Sequence, residues 1–255
     1  MTATPQQVYD MLVKGDKIAS KTGSIHFTLD DISIVVRQKD VVGNIIQEWL
    51  QGWFEAKSIE YDVGPNPQMP PDIFLDKADH TKNLLEVKAF NYNAAPGFDI
   101  ADFKMYSEEI VEKPYMLDVD YLVFGYDMSK SGVVTIKKVW LKKVWEMLRP
   151  MQAWPLNLQI KKKVVHKIRP GKWYSTRPQK FKFFASLEDF VAAVEETVYK
   201  NKDTRDDAAE WKDRFVASFE SFYSKEIVIP RWCDIKSSYV SAAPKTAKKK
   251  RKSTR

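Results

Sequence analysis

Pro71–Phe90 reads PDIFLDKADHTKNLLEVKAF. Asp72 opens an apolar run, a polar loop spans Asp76–Asn83, and a second apolar run carries Glu86-Val87-Lys88. This pattern predicts a β-hairpin in which Asp72–Leu75 pairs with Leu84–Phe90. Alternation along a strand puts Leu85, Val87 and Ala89 on one face and Leu84, Glu86, Lys88 and Phe90 on the other. Glu86 and Lys88 thus share a face, and Asp72 can meet them from the partner strand. Charges inside an apolar strand are costly to bury, which argues for a task. A Glu-x-Lys on a strand is otherwise common as a solvated face.

Two carboxylates suit Mg²⁺, a hard cation that takes oxygen ligands and keeps several waters. Asp72 and Glu86 are the candidate ligands, with the Val87 carbonyl as a further one. Lys88 would hold the attacking water and stabilise charge on a phosphodiester in flight. No convincing Ser–His or Cys–His pair competes for the chemistry. His26, His80 and His166 are scattered, and the single cysteine, Cys233, rules out an internal disulfide and a multi-cysteine zinc site. Cys233 reads as a small buried residue.

Working outward, Asp40–Ala56 (DVVGNIIQEWLQGWFEA) predicts a helix with Val42, Ile45, Ile46, Trp49, Leu50 and Trp53 on one face. Glu48 lies at the edge of that face, either as a solvated flank or as an accessory metal ligand. Upstream, Thr4-Pro5 predicts a capped helix to about Lys14. Ser24–Leu29 and Ile32–Arg37 are candidate strands. Ile59–Val63 predicts an edge strand. Downstream, Asp99 is placed to cap a helix from Ile100 to about Glu112. Tyr121–Tyr126 and Val133–Val139 predict paired strands, Trp140–Arg149 a helix, and Lys180–Phe184 a short strand. Ser186 with Asp189 marks a further helix start, and Ala208–Tyr223 a last helix. The mixture predicts one α/β domain over 1–235, with a catalytic core at about 40–126, a central mixed sheet and flanking helices.

Charge is unevenly placed. The 255 residues carry a net charge of +7, and Lys245–Arg255 supply seven bases and no acid. Lys137–Lys182 holds fourteen bases against one acid, whereas Phe183–Asp234 is acidic. A basic block inside a neutral body suits a polyanion such as DNA. Within it, Lys161, Lys162, Lys163, Arg169, Lys172, Trp173, Tyr174, Arg177 and Lys180 are candidate DNA contacts. Arg169 and Arg177 are the best candidates to read guanine. A solvated basic hairpin is the plain alternative. Asn91 and Asn93 follow the catalytic strand and can reach a groove, although loop asparagines often serve turns alone. Residues 236–255 predict a disordered basic tail, read as an electrostatic arm, a nuclear-localisation cluster or a solubilising end. The amino-terminal stretch has no apolar core behind a basic head, and the longest apolar runs are too short for a membrane span, so a soluble intracellular protein is expected.

PDIFL with LLEVKAFN resembles the PD-(D/E)xK nuclease signature, leading proline and apolar flanks included. GNIIQEWL (43–50), FDIADF (98–103), LKKVWEM (141–147) and WPLNLQIKKKVVHKIRP (154–170) are similar to the NlaIV/NgoBV-like group of type II restriction endonucleases. The resemblance spans roughly residues 30–200. It implies a restriction-endonuclease-like fold and a Mg²⁺-dependent, site-specific double-strand endonuclease, a homodimer on a short palindrome in the cytoplasm of a prokaryotic or viral host. It also implies a cognate DNA methyltransferase as a genetic partner. By motif position Asp72, Glu86 and Lys88 are its catalytic set and Glu48 its helix glutamate. A structure-directed or repair nuclease on the same core and a non-catalytic DNA-binding protein are the rival readings.

Overall fold

A computed structural model describes residues 2–66 and 69–241. The chain opens with α1 (Pro5–Asp10), capped by the Thr4 hydroxyl in a reciprocal box with Gln7, and continues as a π-helical turn, Met11–Gly15. Three short strands follow: β1 (Thr22–Ser24), β2 (His26–Leu29) and β3 (Ile32–Val35). Then come α2 (Val42–Ala56), β4 (Asp62–Val63), β5 (Ile73–Phe74), β6 (Leu84–Asn91), β7 (Ala101–Asp102) and α3 (Phe103–Glu112). The second half contains β8 (Asp120–Met128), β9 (Val133–Lys143), α4 (Val144–Met147), β10 (Leu158–Lys161), β11 (Val164–Ile168), α5 (Leu187–Lys200), α6 (Ala208–Tyr223) and α7 (Trp232–Ile235).

The central sheet runs β1-β9-β8-β6-β5-β4 and is mixed, with β6 parallel to β8 and its other pairs antiparallel. The expected hairpin is present, with Ile73 opposite Leu85 and Phe74 opposite Leu84. The alternation along β6 sorts its side chains between two cores. Leu85 and Val87 pack with α1, the π-helical turn and α2, through Val8, Leu12, Leu50 and Phe54. Leu84 and Phe90 pack with α3, α5 and α6, through Phe103, Tyr106, Phe190 and Phe215. The sheet is therefore the middle of three layers. A second sheet, β10-β11-β7, carries the basic hairpin and joins it to the segment after β6. Among the described residues, no helix is long and apolar enough to cross a membrane.

Several expectations change. Asp102, not Asp99, caps α3, its carboxylate accepting from the Met105 N–H at 3.2 Å, because Ala101–Asp102 first pairs with β11. Trp140–Lys143 stays in β9 against β8, and only Val144–Met147 turns helical. Lys180–Phe184 contributes one bridge, Phe181 to Val240, rather than a strand. Cys233 is exposed. Within the stretch expected to be disordered, Lys236–Tyr239 forms a 3₁₀ turn and Tyr239 is buried against Phe184. Residues 242–255 lie outside the described part.

Candidate active site

Backbone pairing of β5 with β6 stops at Ile73 and Leu85. One residue on, the Asp72 side chain replaces the missing backbone acceptor, its Oδ2 accepting from the Val87 N–H at 2.9 Å. The N–H and C=O of one strand residue point to the same side, so the Val87 carbonyl also faces this notch in the sheet. Glu86 is buried, at 2% exposure. Lys88 Nζ lies 2.5 Å from Glu86 Oε1, while Glu86 Oε2 has no hydrogen-bond partner among the described residues.

The electrostatics follow from burial. Removal from water, with the neighbouring Asp72 carboxylate adding to it, outweighs Lys88 and pushes the Glu86 carboxyl up to about 7. Burial pulls the Lys88 ammonium down, but Glu86, Asp72 and Asp99 more than compensate, leaving it above its ordinary value. A buried carboxylate oxygen left without a partner is rare enough to need a reason.

These groups open onto a cavity of about 450 Å³. One wall is β6, and a second is the start of α2 with Asp40 shortly before it, through Gly43, Asn44 and Gln47. Phe98, Asp99 and Lys167 close the third side. Glu48 is exposed and lies outside this lining, whereas its neighbour Gln47 is in it. Consecutive helix residues are turned about 100° apart, so one position decides which side chain reaches the site. Asp99 was expected only as a helix cap, Lys167 only as part of the basic block, and Gln47 was not singled out in the sequence. The basic block was the signal for Lys167, and Gln47 adjoins the Glu48 that was placed at the edge of the apolar face of α2.

Two carboxylates and a backbone carbonyl form an all-oxygen donor set, which fits a hard divalent cation. Among the described residues no group of three His, Cys, Asp or Glu gathers to hold a metal. A cation here would therefore draw its remaining ligands from water and substrate oxygens.

The expected DNA contacts fall into two groups. Lys161, Lys162 and Lys163 form the exposed tip of the β10–β11 hairpin, with Lys162 and Lys163 at positive φ. Arg177, Lys180 and Asn93 are exposed too. Lys180 Nζ also donates to Gln152 Oε1, and the remaining candidates are partly buried with partners within the protein. Asn91 Oδ1 accepts from the Asn93 N–H at 3.0 Å, and Arg169 Nε donates to Asp99 at 2.8 Å. Trp173 and Tyr174 pack with Phe90, Tyr92 and Trp140, and Lys172 lies over the Tyr174 ring at 5.4 Å.

Gly64 locks Asp72 in place. Its N–H donates to the Asp72 carbonyl at 2.7 Å, and a Cβ there would lie 2.1 Å from the Pro71 oxygen. That neighbour is backbone and cannot swing aside. Gly64→Ala is expected to cost about 1–3 kcal/mol in urea unfolding and to cut activity further by shifting Asp72. An unchanged cleavage rate would show that the Gly64 contact does not position Asp72.

The comparisons with known proteins agree with this fold. The NlaIV restriction endonuclease, a solved structure, superposes with a TM-score of 0.91 at 58% identity, covering 94% of this chain and 98% of that one. The type II restriction enzyme NlaIV of Neisseria lactamica is 59% identical over 236 residues, 92% of this chain and 97% of that protein. The type II restriction enzyme NgoBV of Neisseria gonorrhoeae is 56% identical over 159 residues, 62% of this chain and 90% of that protein. The fold is thus restriction-endonuclease-like, and the enzyme is a site-specific endonuclease. A family model described as NgoBV restriction endonuclease matches residues 2–239, so that near its whole described length this chain belongs to the NgoBV restriction endonuclease family.

Proposed function

We propose that Asp72, Glu86 and Lys88 carry out hydrolysis of phosphodiester bonds in double-stranded DNA at a short palindromic site, with Mg²⁺ as the cation. Enzymes of this type work with divalent metal ions on DNA. The observation that carries the assignment is the buried, unpartnered Glu86 oxygen beside Asp72 in the notch of the sheet. Asp72, Glu86 and the Val87 carbonyl would hold the cation, which when bound supplies an acidified water and neutralises phosphate charge. Lys88, held against Glu86, orients the attacking water and meets the charge gathering on the phosphate oxygens. Water adds to phosphorus, the P–O bond to the leaving strand breaks, and the leaving oxygen takes a proton. Gln47 and Asn44, rather than Glu48, are the α2 side chains in the cavity lining and would face the cation's waters.

The exposed bases Lys161, Lys162, Lys163, Arg177 and Lys180 track phosphates, and Asn93 is free to reach a groove. Arg169, tied to Asp99, links the basic hairpin to the catalytic cavity. The enzyme acts as a homodimer in the cytoplasm, with a cognate methyltransferase protecting host sites. The test is digestion of unmethylated phage DNA with Mg²⁺ or with EDTA. Discrete fragments with Mg²⁺ and none with EDTA are expected, with the protein's melting temperature little changed by EDTA alone. Cleavage that survives EDTA would overturn the metal assignment, and a smear would overturn the fixed site.

A further inference from the structure

We propose that the β2–β3 ribbon is an arm that seats in an apolar groove beside α2 of a second copy of this chain. The proposal rests on the homodimer reading and names its contact surface.

The ribbon is a sheet of its own, apart from the central one. Its pairing, Phe27 opposite Ile34 and Leu29 opposite Ile32, puts all four apolar side chains on one face. They are 55%, 52%, 69% and 71% exposed in that order. The other face is polar, with the Thr28 hydroxyl bonded to Ser33 at 3.0 Å. A lone two-stranded ribbon is marginal in water, and one with a bare apolar face needs a cover.

The groove adjoins the arm's root. It is a cavity of about 290 Å³, walled by Ile25 on one side and by Val42, Ile45, Ile46 and Trp49 of α2 on the other. Ile45 and Trp49 belong to the helix face expected in the core, yet they are 40% and 43% exposed. With the arm, they make an apolar surface on the order of several hundred Å², the size that marks an interface on a soluble protein. Reciprocal exchange of two such surfaces approaches the roughly 800 Å² per partner of a standard complex.

Three observations select a second copy as the occupant. The chain's own residues 242–255 hold only Ala, Pro, Ser, Thr and bases, so they bring no large apolar side chain to cover the face. The arm's tip is Asp30-Asp31, both exposed, which repels phosphate and disfavours DNA or an anionic membrane. Lys21 lines the groove and complements that acidic tip when two copies exchange arms. A chain that brings one cleavage site to a duplex also needs a second copy for the other strand, and twofold exchange is self-complementary. The partner would then press on the apolar side of α2, whose other side, through Asn44 and Gln47, lines the catalytic cavity.

The test is sedimentation of the full chain and of a Leu29→Lys/Ile32→Lys variant, with cleavage measured on the same samples. A wild-type dimer and a folded monomeric variant, at least tenfold slower in double-strand cleavage at low concentration, is the expected result. A variant that stays dimeric overturns the arm while leaving the homodimer reading intact. A wild type that stays monomeric with and without its DNA site overturns both. Should the variant fail to fold, cross-linking decides, in a Cys233→Ser background. Mixing a Leu29→Cys chain with a Trp49→Cys chain under mild oxidation should give a linked dimer that neither gives alone. Absence of that product overturns the proposal.

Discussion

Lys88→Ala should bind DNA as the parent does and cut it about 10³-fold more slowly. Its ammonium is held 2.5 Å from Glu86 Oε1, at the mouth of a cavity lined by Asp72 and Asp99. No other cation lining that cavity is placed on the catalytic strand; Lys167 approaches from β11. Loss of the ammonium removes the charge that meets the phosphate and also takes away the group that holds Glu86 ionised. The Glu86 carboxyl, already pushed up to about 7 by burial, rises further and is protonated at neutral pH. The protonation limits the stability loss, since the variant need not bury an unpaired charge. Lys88→Arg should not rescue, because a planar fork does not replace a compact ammonium in this space. Single-turnover cleavage and a gel shift on the same DNA separate the two effects. A variant that cuts within a few-fold of the parent would remove Lys88 from the chemistry.

The faces of β6 were legible because strand alternation is a local, period-two property. Leu84, Glu86, Lys88 and Phe90 share a face whatever the rest of the chain does. What depended on docking was not legible. The apolar stripe of α2 shows which side is greasy, but not that Ile45 and Trp49 would stay uncovered. Gln47 and Glu48 are one step apart on a helix, and only the packing of α2 against β6 chooses between them. Asp99 and Asp102 are both plausible caps, and the β7–β11 pairing settles the choice for Asp102 and frees Asp99 to bind Arg169. Trp140–Lys143 has helical spacing in isolation, yet its backbone bonds go to β8, because tertiary pairing overrides a weak local preference.

Trp140→Ala should cost about 3–5 kcal/mol of unfolding free energy, a large share of a typical domain's total. Trp140 is 8% exposed and sits at the centre of a group of rings. Its neighbours are Phe90 at 5.8 Å, Tyr92 at 6.1 Å, Trp173 at 5.7 Å and Tyr174 at 5.3 Å, centroid to centroid. Gly125 gives the ring its seat, since a Cβ there would lie 2.9 Å from both Trp140 and Tyr92. These rings belong to three separate segments. Phe90 and Tyr92 end and follow the catalytic strand, Trp140 is on β9, and Trp173 and Tyr174 follow the basic hairpin. Tyr174 also donates to the Ala94 carbonyl at 2.8 Å, fastening the loop after β6. Truncation therefore loosens the joint between β6 and the β10–β11 hairpin, the strand and the hairpin proposed to cut and to hold DNA. Cleavage at the site should fall more than overall DNA affinity, because phosphate contacts at the exposed hairpin tip survive while loop register is lost. Trp140→Phe keeps one stacked ring and should lose much less stability. Urea unfolding, read as a drop in midpoint at constant slope, measures the loss. A loss below about 1 kcal/mol would mean that the ring group is not what joins the two segments.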